Sequence, residues 1–288
     1  MRWLVTGASG MLGRDVVHEL RGAGEEVVAL ARPELDVRDE AACLAAARDS
    51  DVVVNCAAWT DVDGAETAEG EAFAVNAVGA ANLARACAAS AAVMVQVSTD
   101  YVFAGEASSP YAVDEPLDPL NAYGRTKAAA EWAVRAECPR SHVVRTAWLY
   151  GANGPSFPAT MLRLAAERET LDVVDDQRGQ PTWTVDLARF LRTVVQDELP
   201  FGVHHATSAG ETTWFGFARE IFSAAGLDPD RVRPTTSAGY PRPAARPAYS
   251  VLDNGSRLPN WDESLRRALP TLRAVSPSVA PASPASTA

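Results

Sequence analysis

Tyr123 and Lys127 carry complementary acid–base chemistry and lie four residues apart. The sequence pattern predicts that a helix begins at Tyr123, and residues four apart on a helix share one face, with Cβ atoms about 5–6 Å apart. A phenol beside an ammonium group is a proton donor with a depressed pKa. Ser98 and Thr99 follow a short apolar run, residues 93–97, that is typical of a buried parallel strand. A hydroxyl at the carboxyl end of that strand would complete a site that protonates a carbonyl oxygen.

A glycine-rich turn near the start of the chain follows a predicted strand, residues 2–6, and opens a predicted helix, residues 14–23. Its glycines have the spacing G-x-x-G-x-x-G. The tight turn needs unusual backbone angles, a pyrophosphate needs close backbone approach, and the helix amino terminus supplies free amides. Three glycines alone also fit a plain strand-to-helix turn, but this context favours a dinucleotide. The residues of the turn expected at the cofactor are Gly7, Ser9, Gly10, Met11 and Leu12.

The end of the second predicted strand, residues 26–31, indicates which dinucleotide is bound. An enzyme that uses NAD usually carries Asp or Glu there, hydrogen-bonded to the ribose 2′-hydroxyl. This chain has Leu30, Ala31 and Arg32 instead, and the guanidinium is placed to bind a 2′-phosphate. The pattern favours NADPH, with NADH as the second candidate; the alternative for Arg32 is a solvated surface side chain. Asp36 and Val37 lie further on, where a carboxylate and a backbone amide can meet an adenine edge.

Strands alternate with helices over residues 1–150, which predicts βαβ units and a parallel sheet. Because the strands are continuously apolar, helices should cover both faces of that sheet. The predicted fold class is α/β, a Rossmann-type doubly wound parallel sheet with a smaller C-terminal α/β substrate domain. The NADP-binding domain is expected to take residues 1–150 with about 184–206 and 248–256, and the substrate domain residues 151–183 and 207–272. The Ser/Pro/Ala-rich end, residues 274–288, has the composition of a disordered tail.

The net charge, hydropathy and cysteine spacing of the 288-residue chain argue against several classes of binding partner. The net charge of −11 argues against nucleic acid and against a membrane surface, although local amides and arginines can still bind a nucleotide. We expect neither a signal peptide nor an apolar run of the ~18 residues that span a membrane. The four cysteines lack metal-like spacing, so free thiols in a reducing compartment are expected. These properties predict a soluble cytoplasmic protein.

Seven motifs together resemble the extended short-chain dehydrogenase/reductases, and more narrowly the dTDP-4-dehydrorhamnose reductase family. The resemblance covers most of residues 3–270. The motifs are T-G-A-S-G-M-L-G at 6–13, N-C-A-A-W-T-D-V-D at 55–63, V-S-T-D-Y-V-F at 97–103, P-L-N-A-Y-G-R-T-K at 119–127, V-R-T-A-W-L-Y-G at 144–151, V-V-D-D-Q-R-G-Q-P-T at 173–182 and R-P-A-Y-S-V-L-D at 246–253. The third and sixth are specific to this narrower family.

The resemblance implies a catalytic trio of Thr99, Tyr123 and Lys127, and so assigns the strand-end hydroxyl to Thr99 rather than Ser98. The implied cofactor contacts are Gly10, Met11, Leu12, Asp36, Val37, Ala58, Trp59 and Thr60, beside Tyr123 and Lys127. The implied substrate contacts are Thr99, Asp100 and Trp148. Arg242 and Arg246 are candidates for the diphosphate of the substrate, with a solvated proline-rich loop as the alternative.

The activity implied is NADPH-dependent reduction of the 4-keto group of a dTDP-4-keto-6-deoxyhexose, most narrowly dTDP-4-dehydro-L-rhamnose to dTDP-L-rhamnose. One alternative is a reductase for another dTDP-4-keto-deoxysugar of secondary metabolism. The other is a non-catalytic NADP-binding regulatory subunit, against which the trio argues. A monomer or a homodimer is expected. No metal is expected, because the first helix carries Arg14 and Asp15 where some members hold one at a dimer interface.

Overall fold

A computed structural model of the chain describes residues 1–274 and contains one central sheet of six parallel strands. The helices are α1 Met11–Gly22, α2 Glu40–Ala47, α3 Val62–Ala65, α4 Glu69–Phe73, α5 Gly79–Ser90, α6 Ala122–Glu137, α7 Phe157–Glu167, α8 Thr184–Gln196, α9 Trp214–Ala224 and α10 Trp261–Ala274. The strands are β1 Arg2–Thr6, β2 Glu26–Leu30, β3 Val52–Asn55, β4 Val93–Thr99, β5 Ser141–Thr146, β6 Leu149–Tyr150, β7 Leu171–Val174, β8 Arg178–Gly179, β9 Thr182–Trp183, β10 Gly202–His205, β11 Ser208–Ala209, β12 Thr212–Thr213, β13 Val232–Thr235 and β14 Leu258–Asn260.

The central sheet has the strand order β10-β5-β4-β3-β1-β2, and the predicted α/β doubly wound fold is confirmed. Its inner strands are apolar on both faces because helices cover both sides. One face packs on α1 and α8 through side chains such as Val16 and Leu187. The opposite face packs on α2, α5 and α6 through side chains such as Leu83 and Val134. The carboxyl ends of the four inner strands therefore meet at one edge, where ligands bind in folds of this class.

The helix Glu69–Ser90, formed by α4, a π-helical turn at Ala74–Val78 and α5, differs from the sequence-based expectation about membranes. It is long enough and apolar enough to pass a length-and-composition test for a membrane span. However, 61% of its apolar window is buried inside the protein, where it packs between α2 and α6. Its hydropathy is therefore that of a core helix.

The C-terminal part of the described chain has a separate apolar cluster built from α7, α9 and α10 with strands β7 and β13. Phe217, Ile221 and Phe222 of α9 lie at its centre and are buried. Helix α8 and strand β10 return to the central sheet. The division into two domains itself stays a prediction. Of the predicted disordered tail, residues 275–288 lie outside the described residues, while Ala274 ends α10.

Residues 242–253, called the strap below, connect the two parts of the molecule. On one side, Tyr249 donates its backbone N–H to the Gly105 carbonyl, and Tyr111 donates to Val251. On the other side, Ser250 donates to the Arg178 carbonyl in β8. The strap thus pairs with both halves at once, and it includes the two arginines predicted to bind a diphosphate.

Candidate active site

A cavity of about 930 Å³ opens at the carboxyl ends of the inner strands. Every residue predicted to bind the cofactor lines it, namely Gly7, Ser9, Gly10, Met11, Leu12, Arg32, Asp36, Val37, Ala58, Trp59, Thr60, Tyr123 and Lys127. The predicted substrate residues Thr99, Asp100 and Trp148 line the same cavity. Segments that are distant in the sequence are thus brought together around one volume, as the parallel topology requires.

The glycine turn has the close packing that its sequence predicts. Gly7 has a φ of +64°, and a Cβ atom there would lie 2.6 Å from the Ala57 nitrogen. A Cβ atom on Gly13 would lie 2.3 Å from the Gly7 carbonyl oxygen. Gly10 is the N-cap of α1 and brings no side chain to the amides of the first helical turn. Those amides are therefore available to an anion, favoured by the helix dipole.

At the end of β2, Arg32 is exposed at the cavity and Asp36 lies close to it. Asp36 accepts hydrogen bonds from the Arg38 backbone N–H at 3.0 Å and from its guanidinium Nε at 2.9 Å. These contacts with Arg38 lower the Asp36 pKa to about 2, and Arg32 adds a weaker attraction. The carboxylate that was predicted to face an adenine edge is thus charged and held in place by a neighbouring arginine.

A chain of buried amides aligns the ends of the central strands. Thr6 donates to the Asn55 Oδ1 at 2.7 Å, and the Asn55 Nδ2 donates to Gln96 at 2.8 Å. The Gln96 amide donates to the Val97 carbonyl, which also accepts a hydrogen bond from the Lys127 Nζ at 2.7 Å. The ammonium group of Lys127 is therefore fixed against the end of β4, directly at the cavity.

The hydroxyls of Ser98 and Thr99 point to different partners, as the side chains of consecutive residues on a strand do. Ser98 donates to the buried carboxylate of Glu131 at 2.6 Å. Thr99 donates to the Asp100 Oδ1 at 2.9 Å, and its interaction with the Tyr123 phenol offsets part of the burial that raises the pKa of that phenol. The structure thus groups Thr99, not Ser98, with Tyr123. The catalytic role of Thr99 stays a prediction.

The pKa of Tyr123 differs from the sequence-based expectation. Burial raises the pKa of the phenol well above its ordinary value, and the nearby Asp100 carboxylate raises it further. Lys127 is itself buried, which lowers its pKa to about 8. Burial also raises the pKa of Asp100 to about 6. The expected depression of the phenol pKa by the ammonium is therefore wrong for this structure, because burial dominates the pKa and the Lys127 charge is not among the contributions to it.

Trp148 forms the wall between the main cavity and a second one. Its backbone has a φ of +47°, which is unusual for a bulky residue, and its ring stacks on Trp214 with centroids 3.7 Å apart. On β8, a Cβ atom at Gly179 would lie 2.5 Å from the Trp148 ring. The glycine of the family-specific D-D-Q-R-G-Q-P-T motif therefore makes room for the indole at this position.

The second cavity, of about 380 Å³, lies on the other side of this wall. It is lined by Asp63, Tyr101, Phe157, Met161, Asp172, Val173, Val174, Gln177, Trp214, Ser237, Tyr240, Arg242 and Arg246. Arg246 pairs with Asp63 at 3.0 Å, and the more exposed Arg242 lies 3.8 Å from the same carboxylate. The two arginines are therefore placed apart from the trio, on the strap.

Sequence reasoning missed the loop Asn153, Gly154 and Pro155, which also lines the main cavity. The Asn153 amide donates to Asp15 of α1 at 2.7 Å, and a Cβ atom on Gly154 would lie 3.2 Å from the Met11 side chain. The Gly/Pro-rich composition at 151–158 was a usable signal, but it also fits an ordinary domain linker. Over residues 1–274, the structure places no group of three or more His, Cys, Asp or Glu side chains where they could hold a metal ion.

A family model described as the RmlD substrate binding domain matches residues 1–274. The chain is 50% identical over 285 residues to a dTDP-4-dehydrorhamnose reductase from Streptomyces griseus, covering 94% of each chain. It is 47% identical to a dTDP-4-keto-6-deoxy-D-glucose reductase from Streptomyces niveus, covering 95% of this chain and 98% of that one. A solved dTDP-4-dehydrorhamnose reductase from Bacillus anthracis in complex with NADP superposes with a TM-score of 0.89 at 35% identity, covering 93% of this chain and 98% of that one. The family predicted from the motifs is confirmed: the chain belongs to the dTDP-4-dehydrorhamnose reductase family.

Proposed function

We propose that the protein is an NADPH-dependent reductase of the 4-keto group of a dTDP-4-keto-6-deoxyhexose, with dTDP-4-dehydro-L-rhamnose as its substrate. The observation that carries this proposal is the meeting of Thr99, Tyr123 and Lys127 in the cavity that the glycine turn also lines. The relatives with this chain's motifs are named as reductases of such ketones. One similar structure is described in complex with NADP.

The residues of the main cavity fit NADPH. A pyrophosphate is accommodated by the glycine turn, where backbone atoms approach so closely that Cβ atoms would collide, and by the free amides of α1. Arg32 is exposed at the end of β2, where a 2′-phosphate would bind. When bound, NADPH supplies the hydride that reduces the carbonyl carbon.

The trio supports the proton half of the reaction. In this proposal Tyr123 gives its proton to the developing alkoxide, and Thr99 hydrogen-bonds the carbonyl oxygen. Lys127, anchored on the Val97 carbonyl, stabilises the phenolate that forms and holds the nicotinamide ribose. Trp148 would pack against the sugar, while Arg242 and Arg246 would bind the diphosphate in the second cavity. We also propose that the protein is a monomer or a homodimer and that it is located in the cytoplasm.

A second candidate is reduction of a different dTDP-4-keto-deoxysugar, and the 47% identity to a dTDP-4-keto-6-deoxy-D-glucose reductase favours it. Incubation with NADPH and each 4-keto-sugar nucleotide separates the two candidates. We expect loss of the NADPH absorbance band with dTDP-4-keto-L-rhamnose and a product whose NMR spectrum is that of dTDP-L-rhamnose. Turnover of the other ketosugar alone would favour the second candidate, and no turnover with any 4-ketosugar would contradict both.

A further inference from the structure

Lys127 is the only lysine among the 26 lysine and arginine residues of the chain. It is 3% exposed, and its ammonium donates to one backbone carbonyl, that of Val97. Burying an ammonium group is costly unless an opposite charge compensates it. Lowering of the Lys127 pKa to about 8 by burial reflects this cost. The proposed reaction needs this lysine protonated, so the source of its compensation matters.

A buried carboxylate, Glu131, lies one helical turn beyond Lys127 on α6. It is 1% exposed, and both of its oxygens are occupied. Its Oε1 accepts from Ser98 at 2.6 Å and from the Arg145 Nε at 3.0 Å, while its Oε2 accepts from the Arg145 Nη2 at 2.7 Å. The cavity lining reaches Ser98 and Lys127, and Glu131 lies behind them. Its location is therefore fixed from two strands, β4 and β5.

Charged and titratable groups reach Lys127 from each element packed around it. Tyr123 and Glu131 belong to its own helix, Cys56 follows β3, and Arg145 of β5 lies beyond Glu131. The Glu131 carboxylate makes the larger contribution that raises the Lys127 pKa, ahead of the Cys56 thiol. Arg145 is paired with Glu131 through two nitrogen atoms, Nε and Nη2, which is the geometry of a charge-assisted pair.

Glu131 also fixes the backbone that holds the trio. Glu131 accepts a hydrogen bond from Ser98, which lies between Val97 and Thr99 in the sequence. The Val97 carbonyl in turn binds the Lys127 ammonium. One carboxylate therefore acts on both the charge of the lysine and the end of β4.

We propose that Glu131 is a positioning residue for the reduction: its carboxylate keeps Lys127 protonated and fixes the end of β4 without contacting substrate or cofactor. This inference rests on the proposed function for its role in turnover, whereas its electrostatic part concerns the protein alone. Neutralising Glu131 should lower the proton affinity of Lys127 and move the alkaline limb of the activity profile to lower pH.

The single lysine makes the test direct. Protein grown with lysine labelled with ¹³C at Cε gives one lysine side-chain signal, and its pH titration reports Lys127 alone. In Glu131→Gln, we expect the midpoint to fall by about one pH unit, which is tenfold in proton affinity. The alkaline limb of the kcat profile should move by the same amount, and KM for NADPH should change by less than about threefold. A wild-type midpoint in the variant, or a kcat loss equal at every pH, would overturn the proposal.

Glu137→Gln is the matched control, because Glu137 lies on the same helix but pairs with Arg85 at the surface. It should leave the midpoint and the kcat profile unchanged. Breaking a buried ion pair at one partner is strongly destabilising, so folding is checked by thermal unfolding. If Glu131→Gln does not fold, the double variant Glu131→Gln/Arg145→Met removes both charges of the pair, and its midpoint should lie below that of wild type by less than one pH unit, because loss of the more distant Arg145 cation offsets only part of the loss of the carboxylate. A wild-type midpoint there would again overturn the proposal.

The lysine titration needs no substrate, so it separates two failures. Wild-type protein that reduces no ketosugar would contradict the proposed function. The titration of Glu131→Gln would still decide whether Glu131 sets the proton affinity of Lys127.

Discussion

At the scale of single residues, burial decides the chemistry of this site more than the identity of neighbouring charges does. The types and spacing of Tyr123 and Lys127 predicted a proton donor beside a cation, and the structure brings both to one cavity. The direction of the phenol pKa could not be predicted, because desolvation depends on tertiary packing that the spacing of two residues does not contain. The same holds for Asp100, whose sequence position gave no sign that it is 3% exposed.

Asp100 gives a prediction at this scale. Burial raises its pKa from the ordinary 3.8 to about 6, so the folded protein keeps a proton between these values that the unfolded chain has lost. Stability therefore falls as pH rises through that window. Asp100→Asn removes this titration. The unfolding free energy of the variant minus that of wild type should therefore be about 2–3 kcal/mol more positive at pH 8 than at pH 4, at 1.36 kcal/mol per pKa unit. Urea unfolding of both proteins at both pH values measures this, and equal differences at the two pH values would contradict it.

At the scale of elements, the strands and helices of the central sheet followed from sequence because each has a strong local signal. The predicted strand at 2–6 has the bounds of β1, and the predicted strand at 26–31 differs from β2 by one residue. The two-residue strands such as β6, β8 and β9 were missed because they depend on pairing with distant segments. Helix α10 was also missed; it contains Pro270, a residue that usually ends a helix.

The strap and α6 give a prediction at this scale. Asn121 is the N-cap of α6, where its Oδ1 accepts from Gly124 at 2.8 Å, and its Nδ2 donates to Ala245 of the strap at 2.9 Å. Asn121→Ala should cost about 1–2 kcal/mol of stability for the lost cap. It should also raise KM for the sugar nucleotide several-fold, because the strap carries Arg242 and Arg246, while the NADPH affinity stays unchanged.

Asp39→Ala is the matched control for this variant. Asp39 caps α2 by accepting from the Ala42 N–H at 3.0 Å, away from the strap. It should lose similar stability, measured by urea unfolding, with no change in either KM. An Asn121→Ala protein that is less stable but has wild-type KM for the sugar nucleotide would show that the strap anchor does not affect substrate binding.

At the scale of the whole molecule, two cavities share the Trp148–Trp214 wall, and the strap lines the second of them through Arg242 and Arg246. This arrangement suits a substrate with a reactive sugar at one end and a charged diphosphate further along. The class of fold and the family could be predicted because alternating strand and helix patterns indicate the first, and several short motifs indicate the second. The location of Arg242 and Arg246 in a separate cavity could not be predicted, because it depends on how the strap crosses between the two halves.

In the proposed reaction, Tyr123 is the general acid of a ketone reduction in the main cavity. Tyr123→Phe removes the phenol proton and keeps the ring that packs edge-on against Tyr101, with centroids 6.0 Å apart. Tyr150→Phe is the matched control, because Tyr150 is also buried but lies in the apolar cluster of the C-terminal part. The measurement is kcat with dTDP-4-keto-L-rhamnose, alongside the NADPH dissociation constant. We predict a kcat loss on the order of 10²–10⁴-fold for Tyr123→Phe with unchanged NADPH binding, and near wild-type kcat for Tyr150→Phe. Wild-type turnover by Tyr123→Phe would show that Tyr123 is not the general acid.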